Sequence, residues 1–330
     1  MSKKFLIIPI IVLIILAVIA VSISQSKDKD ATPLSNLGYL LTPKEVSEIV
    51  GHNSSYNLVL WGEINNISSI LGKINYTKMI SLSNSSFEVL VNGSSTHNSI
   101  VIDGVFKTNS TLLADYILFY LSSKGFNYST YGNLDYVYNN SLAVGYAKPF
   151  MFVIKLFYKN STASIVKKLL IAQYDKTMNN PESYVSPPSF IPRIGNISLW
   201  GFINYSAINK SSYGYFVLYN SSTFVTINIY NSSSIANQFY SNLTINAKKY
   251  EFNITFYNFQ FSNTVPIING TYDNAEYLIA NTTFYSSMLK TNLHALTLVG
   301  VYKNYIITIS SESTSVNDLL KLLGNIISSV

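Results

Sequence analysis

Apolar positions in this chain recur at two spacings, and the changes between the two mark out its elements. Leu112, Leu113, Tyr116, Ile117, Tyr120 and Leu121 keep the period of a helix, capped by Asn109 or Ser110 and ended by Gly125. Phe87, Val89 and Val91 instead alternate with Glu88 and Asn92, and residues 100–106 continue the strand pattern, so a hairpin is predicted across 92–98. Upstream, Thr42, Pro43, Lys44 and Glu45 spell a capping box with proline at the first helical position. A short helix through Val46, Ile49 and Val50 should follow and close at Gly51. Strands near 134–146 and 150–158 and a helix over 161–176 complete the set. Between 250 and 261 the apolar positions move from even to odd numbers near Phe256, which predicts a β-bulge or a bend.

The pattern then repeats. Leu60, Trp61, Gly62, Glu63, Ile64 and Asn65 return as Leu199, Trp200, Gly201, Phe202, Ile203 and Asn204, and these phrases hold both tryptophans of the chain. A strand with Val225, Ile227 and Ile229 runs into a helix over 232–243, as residues 101–106 run into theirs. Ala236 and Phe239 stand where Ala114 and Ile117 stood. Val299, Gly300, Lys303 and Tyr305 match Val144, Gly145, Lys148 and Phe150 at one offset, and a closing helix over 316–327 matches 165–173. This is the signature of a tandem duplication. The expected fold class is α+β: two tandem antiparallel-sheet modules with helices packed on one face, preceded by one N-terminal transmembrane helix. The boundaries expected are an anchor or signal peptide at 1–23, a stalk at 24–40 and module 1 at 41–178. A proline-rich, stiff linker at 179–195 and module 2 at 196–330 complete the chain.

Lys3 and Lys4 precede an apolar run over 5–21 that Ser22 and Ile23 extend to about 28 Å of helix, enough to span a bilayer. Lys27, Asp28, Lys29 and Asp30 cancel on the far side. The positive-inside rule therefore places the N-terminus in the cytoplasm and the rest of the chain outside the cell membrane. Small residues around Val18, Ile19 and Ala20 leave open a cleaved signal peptide and a secreted product.

Composition sharpens the compartment. Only 12% of residues are charged, and the net charge of +6 is dispersed rather than gathered on one face, which argues against nucleic acid as a partner. Neutral polar side chains stand in for charge. An acidic exterior would favour that exchange, because protonated carboxyls cannot hold ion pairs; a genome rich in A and T would also produce it, and Arg193 as the only arginine suits that origin. With no cysteine there is no disulfide framework and no thiolate metal site. Half of the 36 asparagines, 18 in number, begin Asn-x-Ser/Thr, where the Ser and Thr content predicts roughly seven. The candidate glycosylation sites are Asn53, Asn66, Asn75, Asn84, Asn92, Asn109, Asn127, Asn139, Asn160, Asn196, Asn204, Asn209, Asn220, Asn231, Asn242, Asn253, Asn269 and Asn281.

The opening LLTPKEVSEIVG, the strand-to-helix run VFKTNSTLLADYILFYL and the closing strand, strand and helix resemble the extracytoplasmic sensor domains of mycobacterial-type receptor kinases and related lipoproteins. The likeness covers the outline of each module; only the first has the opening helix motif, and the family's cysteines are missing. It implies a ligand-sensing or ligand-binding fold and carries no residue across. Chemistry is sparse. His52, His97 and His294 lie far apart, no nucleotide or hydrolase motif occurs, and Asp103 before Gly104 lacks the residue that an aspartic protease places between them. Asp273 with Glu276 suits a polar turn. Trp61 and Trp200, flanked by Leu and Ile, read as core. No catalytic, metal or cofactor site is expected. The expected function is that of a membrane-anchored, glycosylated, extracellular, non-enzymatic protein that binds a surface partner protein or glycan. The alternatives are a ligand-binding or sensor subunit of a membrane complex, and a secreted acid hydrolase.

Overall fold

A computed structural model describes residues 37–51, 55–65, 82–92, 99–108, 110–158, 161–180, 185–192, 195–204, 212–219, 223–248, 255–256, 259–286, 291–312 and 314–330. The fold is mixed α+β and dominated by antiparallel sheet. The segment expected to cross a membrane lies outside the described residues. Among the described residues no helix is long and apolar enough to do so. Contacts gather the chain into two units, Met1–Ser186 with Ile203–Lys210, and Pro187–Phe202 with Ser211–Val330.

Unit 1 begins with α1 (Pro43–Val50). The expected capping box is formed, with Thr42 accepting from the Glu45 amide and the Glu45 side chain accepting from the Thr42 amide. Its strands are β1 (Tyr56–Ile64), β2 (Leu82–Asn92), β3 (Ser99–Thr108), β4 (Asn127–Tyr131), β5 (Leu134–Tyr138), β6 (Leu142–Ala147) and β7 (Phe150–Phe157). They lie in the order β1-β2-β3-β7-β6-β5-β4. Helix α2 (Thr111–Ser123) joins β3 to β4, and α3 (Ala163–Asn179) follows β7.

Unit 2 contains β8 (Ile197–Asn204, of which 203–204 group with unit 1), β9 (Ser212–Tyr219), β10 (Thr223–Tyr230), α4 (Ser233–Lys248), β11 (Thr255–Phe256), β12 (Phe259–Tyr272), β13 (Ala275–Ser286), β14 (Thr291–Tyr302), β15 (Tyr305–Ser311) and α5 (Val316–Ile327). Their order is β8-β9-β10-β15-β14-β13-β12-β11. Strand for strand this is the order of unit 1, with β11 added beyond β12.

The helices do not share one face, and here the structure corrects the expectation. In unit 2, Ala236 and Tyr240 of α4 pack with Val299 and Val301. A Cβ added to Gly300, the residue between them, would come within 3.0 Å of Leu323 in α5. Neighbouring residues of a strand point to opposite faces, so α4 and α5 cover opposite faces. Unit 1 alternates in the same way. Leu170 of α3 closes on Gly145, while the Asp115 carboxylate of α2 acts on the hydroxyl of Tyr146. The physical reason is legible in β7, whose Phe-Met-Phe-Val-Ile run is buried throughout. A sheet wrapped on both sides needs apolar residues at successive positions, not alternate ones.

Three smaller expectations also change. Residues 37–40, assigned to a polar stalk, are folded in, with Leu40 fully buried and the Trp61 indole N–H donating to the Leu37 carbonyl at 3.3 Å. Residues 187–192 of the expected linker pack as part of unit 2: Ile191 is buried, Phe190 stacks edge-on against Tyr215, and the Tyr219 hydroxyl donates to the Pro192 carbonyl at 2.6 Å. The parity change near Phe256 is a chain reversal, because Phe256 of β11 pairs with Phe259 of β12.

Candidate functional site

Beneath α1 and α3 the sheet of unit 1 carries three buried carboxyls. Glu88 on β2 lies directly opposite Asp103 on β3, with Trp61 of β1 and Ile154 of β7 as the outer neighbours of the same row. Opposed residues share a face, so this row is on the side of Phe152, two residues before Ile154, where the Tyr174 ring of α3 rests edge-on. Glu63 stands one row away on that face, opposite Ser86. Glu88 and Asp103 are fully buried, and Glu63 is 1% exposed.

None of the six carboxyl oxygens has a short, well-aligned hydrogen-bond partner among the described residues, although the Leu41 and Gly104 amides act on Asp103 and the Val185 amide on Glu63. Burial pushes the Asp103 carboxyl up to about 8; the Leu41 and Gly104 amides and the Lys176 ammonium oppose that rise in part. Burial also drives Glu88 well above the usual carboxylate range, and the neighbouring Asp103 charge adds to it. Glu63 is pushed up to about 7 by burial, with the Val185 amide acting against it. Isolated charges this deep would be costly, so neutral acids are the favoured species.

The lid over the row is polar and well connected. Gln173 of α3, fully buried, accepts from the Leu41 amide at 3.0 Å and donates to the Tyr39 carbonyl at 2.7 Å and to Thr177 at 2.9 Å. Lys176, one turn on, reaches Glu45 at 2.7 Å. Lys176 therefore spends its charge on Glu45 at the edge of the lid.

The duplication supplies a comparison within the molecule. Asp103 opposes Ile154, and the matching pair in unit 2 is Val225 with Ile309; Glu88 opposes Asp103 as Val217 opposes Val225. Glu63 corresponds to Phe202 in the repeated phrase. All three counterparts, Val217, Val225 and Phe202, are fully buried apolar residues. The fold does not require carboxyls at these positions, so the acids are a property of unit 1 alone. The sequence did hold a signal for Glu63, since it is the single mismatch between the two six-residue phrases. Glu88 alternates with apolar residues in the sequence, but both faces of β2 are covered and it is buried with them.

A second feature lies on the outside. Helix α2 leaves Leu112 77% exposed and Phe119 74% exposed on its outer face, with Tyr116 between them. Ser110 and Ser232 cap α2 and α4 in the same way, each accepting from the amide three residues on. Aligned on these caps, α4 places Ser234, Gln238 and Ser241 where α2 has Leu112, Tyr116 and Phe119. At these three positions unit 1 departs from its repeat, although α4 leaves Ile235 and Phe239 partly exposed elsewhere on its surface.

Trp61 and Trp200 are fully buried in their units, as expected of core residues. Asp273 lies in the β12–β13 turn, where it and Asn274 take positive φ, whereas Glu276 is on β13 opposite Thr271. His294 is on β14 opposite Thr283, whereas His52 and His97 lie outside the described residues. Among the described residues no group of three or more His, Cys, Asp or Glu could hold a metal ion. Of the sequon asparagines, Asn127, Asn196, Asn231, Asn242, Asn269 and Asn281 are exposed and Asn139 is half-buried, its Oδ1 accepting from the Ser141 and Leu142 amides. Asn92 and Asn204 are 4% and 5% exposed. Asn84 lies on β2. Asn53, Asn66, Asn75, Asn109, Asn160, Asn209, Asn220 and Asn253 lie outside the described residues.

No protein-family model and no curated protein matches the sequence. Among solved structures, "Structure of crystal form I of TP0453" is similar with a TM-score of 0.33 and 9% identity, covering 84% of this chain and 96% of that one. An immunity protein, TplEi of the T6SS from Pseudomonas aeruginosa, complexed with the "L" peptide, is similar with a TM-score of 0.26 and 10% identity, covering 74% and 94%. At scores this low neither defines the fold of this chain.

Proposed function

We propose that this is a membrane-anchored, glycosylated, extracellular binding protein whose unit 1 docks a partner protein through the outer face of α2. The observation that carries the reading is the Leu112, Tyr116 and Phe119 stripe, set against Ser234, Gln238 and Ser241 in the repeat. Large apolar side chains left in water on one helix, and replaced by polar ones on its duplicate, are the mark of a contact surface rather than of folding. The anchor places the modules outside the cell, and the sequons would keep the rest of the surface hydrated. Sequons precede both helices, at Asn109 before α2 and Asn231 before α4, and a further one at Asn242 enters α4, whereas none begins within α2.

Two measurements test this. A photo-crosslinking residue at Phe119, activated on intact cells, should give a discrete adduct, and the Leu112→Ser/Phe119→Ser pair should abolish it. Because both side chains are exposed, that pair should change folding stability by no more than about 0.5 kcal/mol. An adduct that survives the double substitution would remove α2 from the interface. Glycopeptide mapping of native protein should find carbohydrate on exposed sites such as Asn127, Asn196 and Asn269, and none on Asn92 or Asn204. Carbohydrate absent from all six exposed sites would argue against the extracellular assignment.

A further inference from the structure

We infer that Glu88 and Asp103, with Glu63 beside them, form a pH-sensitive lock that holds unit 1 closed in acid and loosens it as the surroundings approach neutrality. The inference does not depend on the binding role of α2. It rests first on placement. Two carboxyls on adjacent strands, directly opposed and fully buried, have Cβ atoms about 5 Å apart. At that distance both cannot carry charge in a dry environment, so at least one proton must stay on the pair for unit 1 to remain packed.

It rests also on the repeat. Unit 2 solves the same packing problem with Val217, Val225 and Phe202. A chain that can fill these positions with hydrocarbon and instead fills them with acids has acquired a proton-dependent interior.

The groups around the pair decide its direction. From α1 comes Glu45 and from α3 Lys176, which are bonded to each other at 2.7 Å. From β1 comes Glu63, itself buried. The 37–41 segment contributes one ionisable side chain, the Tyr39 phenol, and α3 otherwise contributes Gln173, Thr177 and the Tyr174 phenol; none of these is a cation. Among the described residues Lys176 is the single cation acting on the pair, and Glu45 opposes it. No free positive charge is at hand among the described residues to accept the ionised form.

The sign follows from linkage. These acids bind protons more tightly in the folded chain than in the unfolded one. Their contribution is complete below about pH 4, the unfolded value, and is lost as pH rises through about 7 for Glu63 and about 8 for Asp103. The low charge of the whole sequence fits an acidic setting of the same kind.

The test is calorimetric unfolding of the full-length chain in detergent micelles between pH 4 and pH 8. The unit 1 transition should fall by roughly 10 °C or more over this range. Glu88→Val with Asp103→Val, the residues that unit 2 uses, should raise the transition at pH 8 and remove about half or more of the fall, leaving the share of Glu63. Infrared spectroscopy of the unsubstituted protein at pH 6 should show the carbonyl stretch of a protonated, buried carboxylic acid, which needs no variant to fold. A wild-type transition that is flat from pH 4 to pH 8, or a pH 6 spectrum without that band, would overturn the inference. So would a double variant that keeps the full slope.

Discussion

Replacing Trp61 by alanine is expected to destabilise unit 1 by about 3–5 kcal/mol, a large share of the roughly 5–15 kcal/mol that holds an ordinary domain together. The indole is fully buried at the centre of the repeated phrase, in the same row as Glu88 and Asp103. It also donates to the Leu37 carbonyl at 3.3 Å, so truncation opens a cavity and orphans a buried acceptor together. Denaturant unfolding should show a lower midpoint with an earlier loss of structure. A Trp61→Ala chain that kept its midpoint and lost only partner binding would show that the tryptophan serves recognition, and the core reading of the phrase would fail.

The second large effect belongs to Gln173. One side chain ties α3 to the 37–41 segment, accepting from the Leu41 amide and donating to the Tyr39 carbonyl, at full burial. Gln173→Leu keeps most of the volume and strands both backbone groups, each at about 1–3 kcal/mol. The expected outcome is a loss of roughly 2–5 kcal/mol, with faster amide exchange at Leu41 as the site-specific readout. Exchange at Leu41 that stayed as slow as in the parent would mean that the segment is held by its apolar residues Leu37, Leu40 and Leu41 alone.

Much of the fold was legible before any coordinates. The capping box at Thr42 and Glu45, the helix over 111–123, and the closing helix over 316–327 follow from local chemistry that tertiary packing did not override. What escaped was the number of layers. Periodicity tells which residues of a strand are apolar but not how many faces of the sheet will be covered, and Glu88 shows the consequence: a polar position in an alternating strand, it is fully buried. Asp103 has no catalytic motif in its immediate neighbours. Its actual partner is 15 residues upstream in sequence and directly across a strand pair, a relation that only the β2–β3 register reveals. The Phe202 counterpart of Glu63 was in view throughout, yet a mismatch inside a repeat becomes informative only once burial is known on both sides.

The twofold build has a practical side. Unit 2 reproduces the strand order of unit 1 with valine and phenylalanine in place of the acids, so it should melt at nearly the same temperature in acid and in neutral buffer. Each scan of the intact chain therefore contains its own internal standard. Drift of both transitions together would report detergent, salt or buffer, and only the widening gap between them would report protons leaving the interior of unit 1.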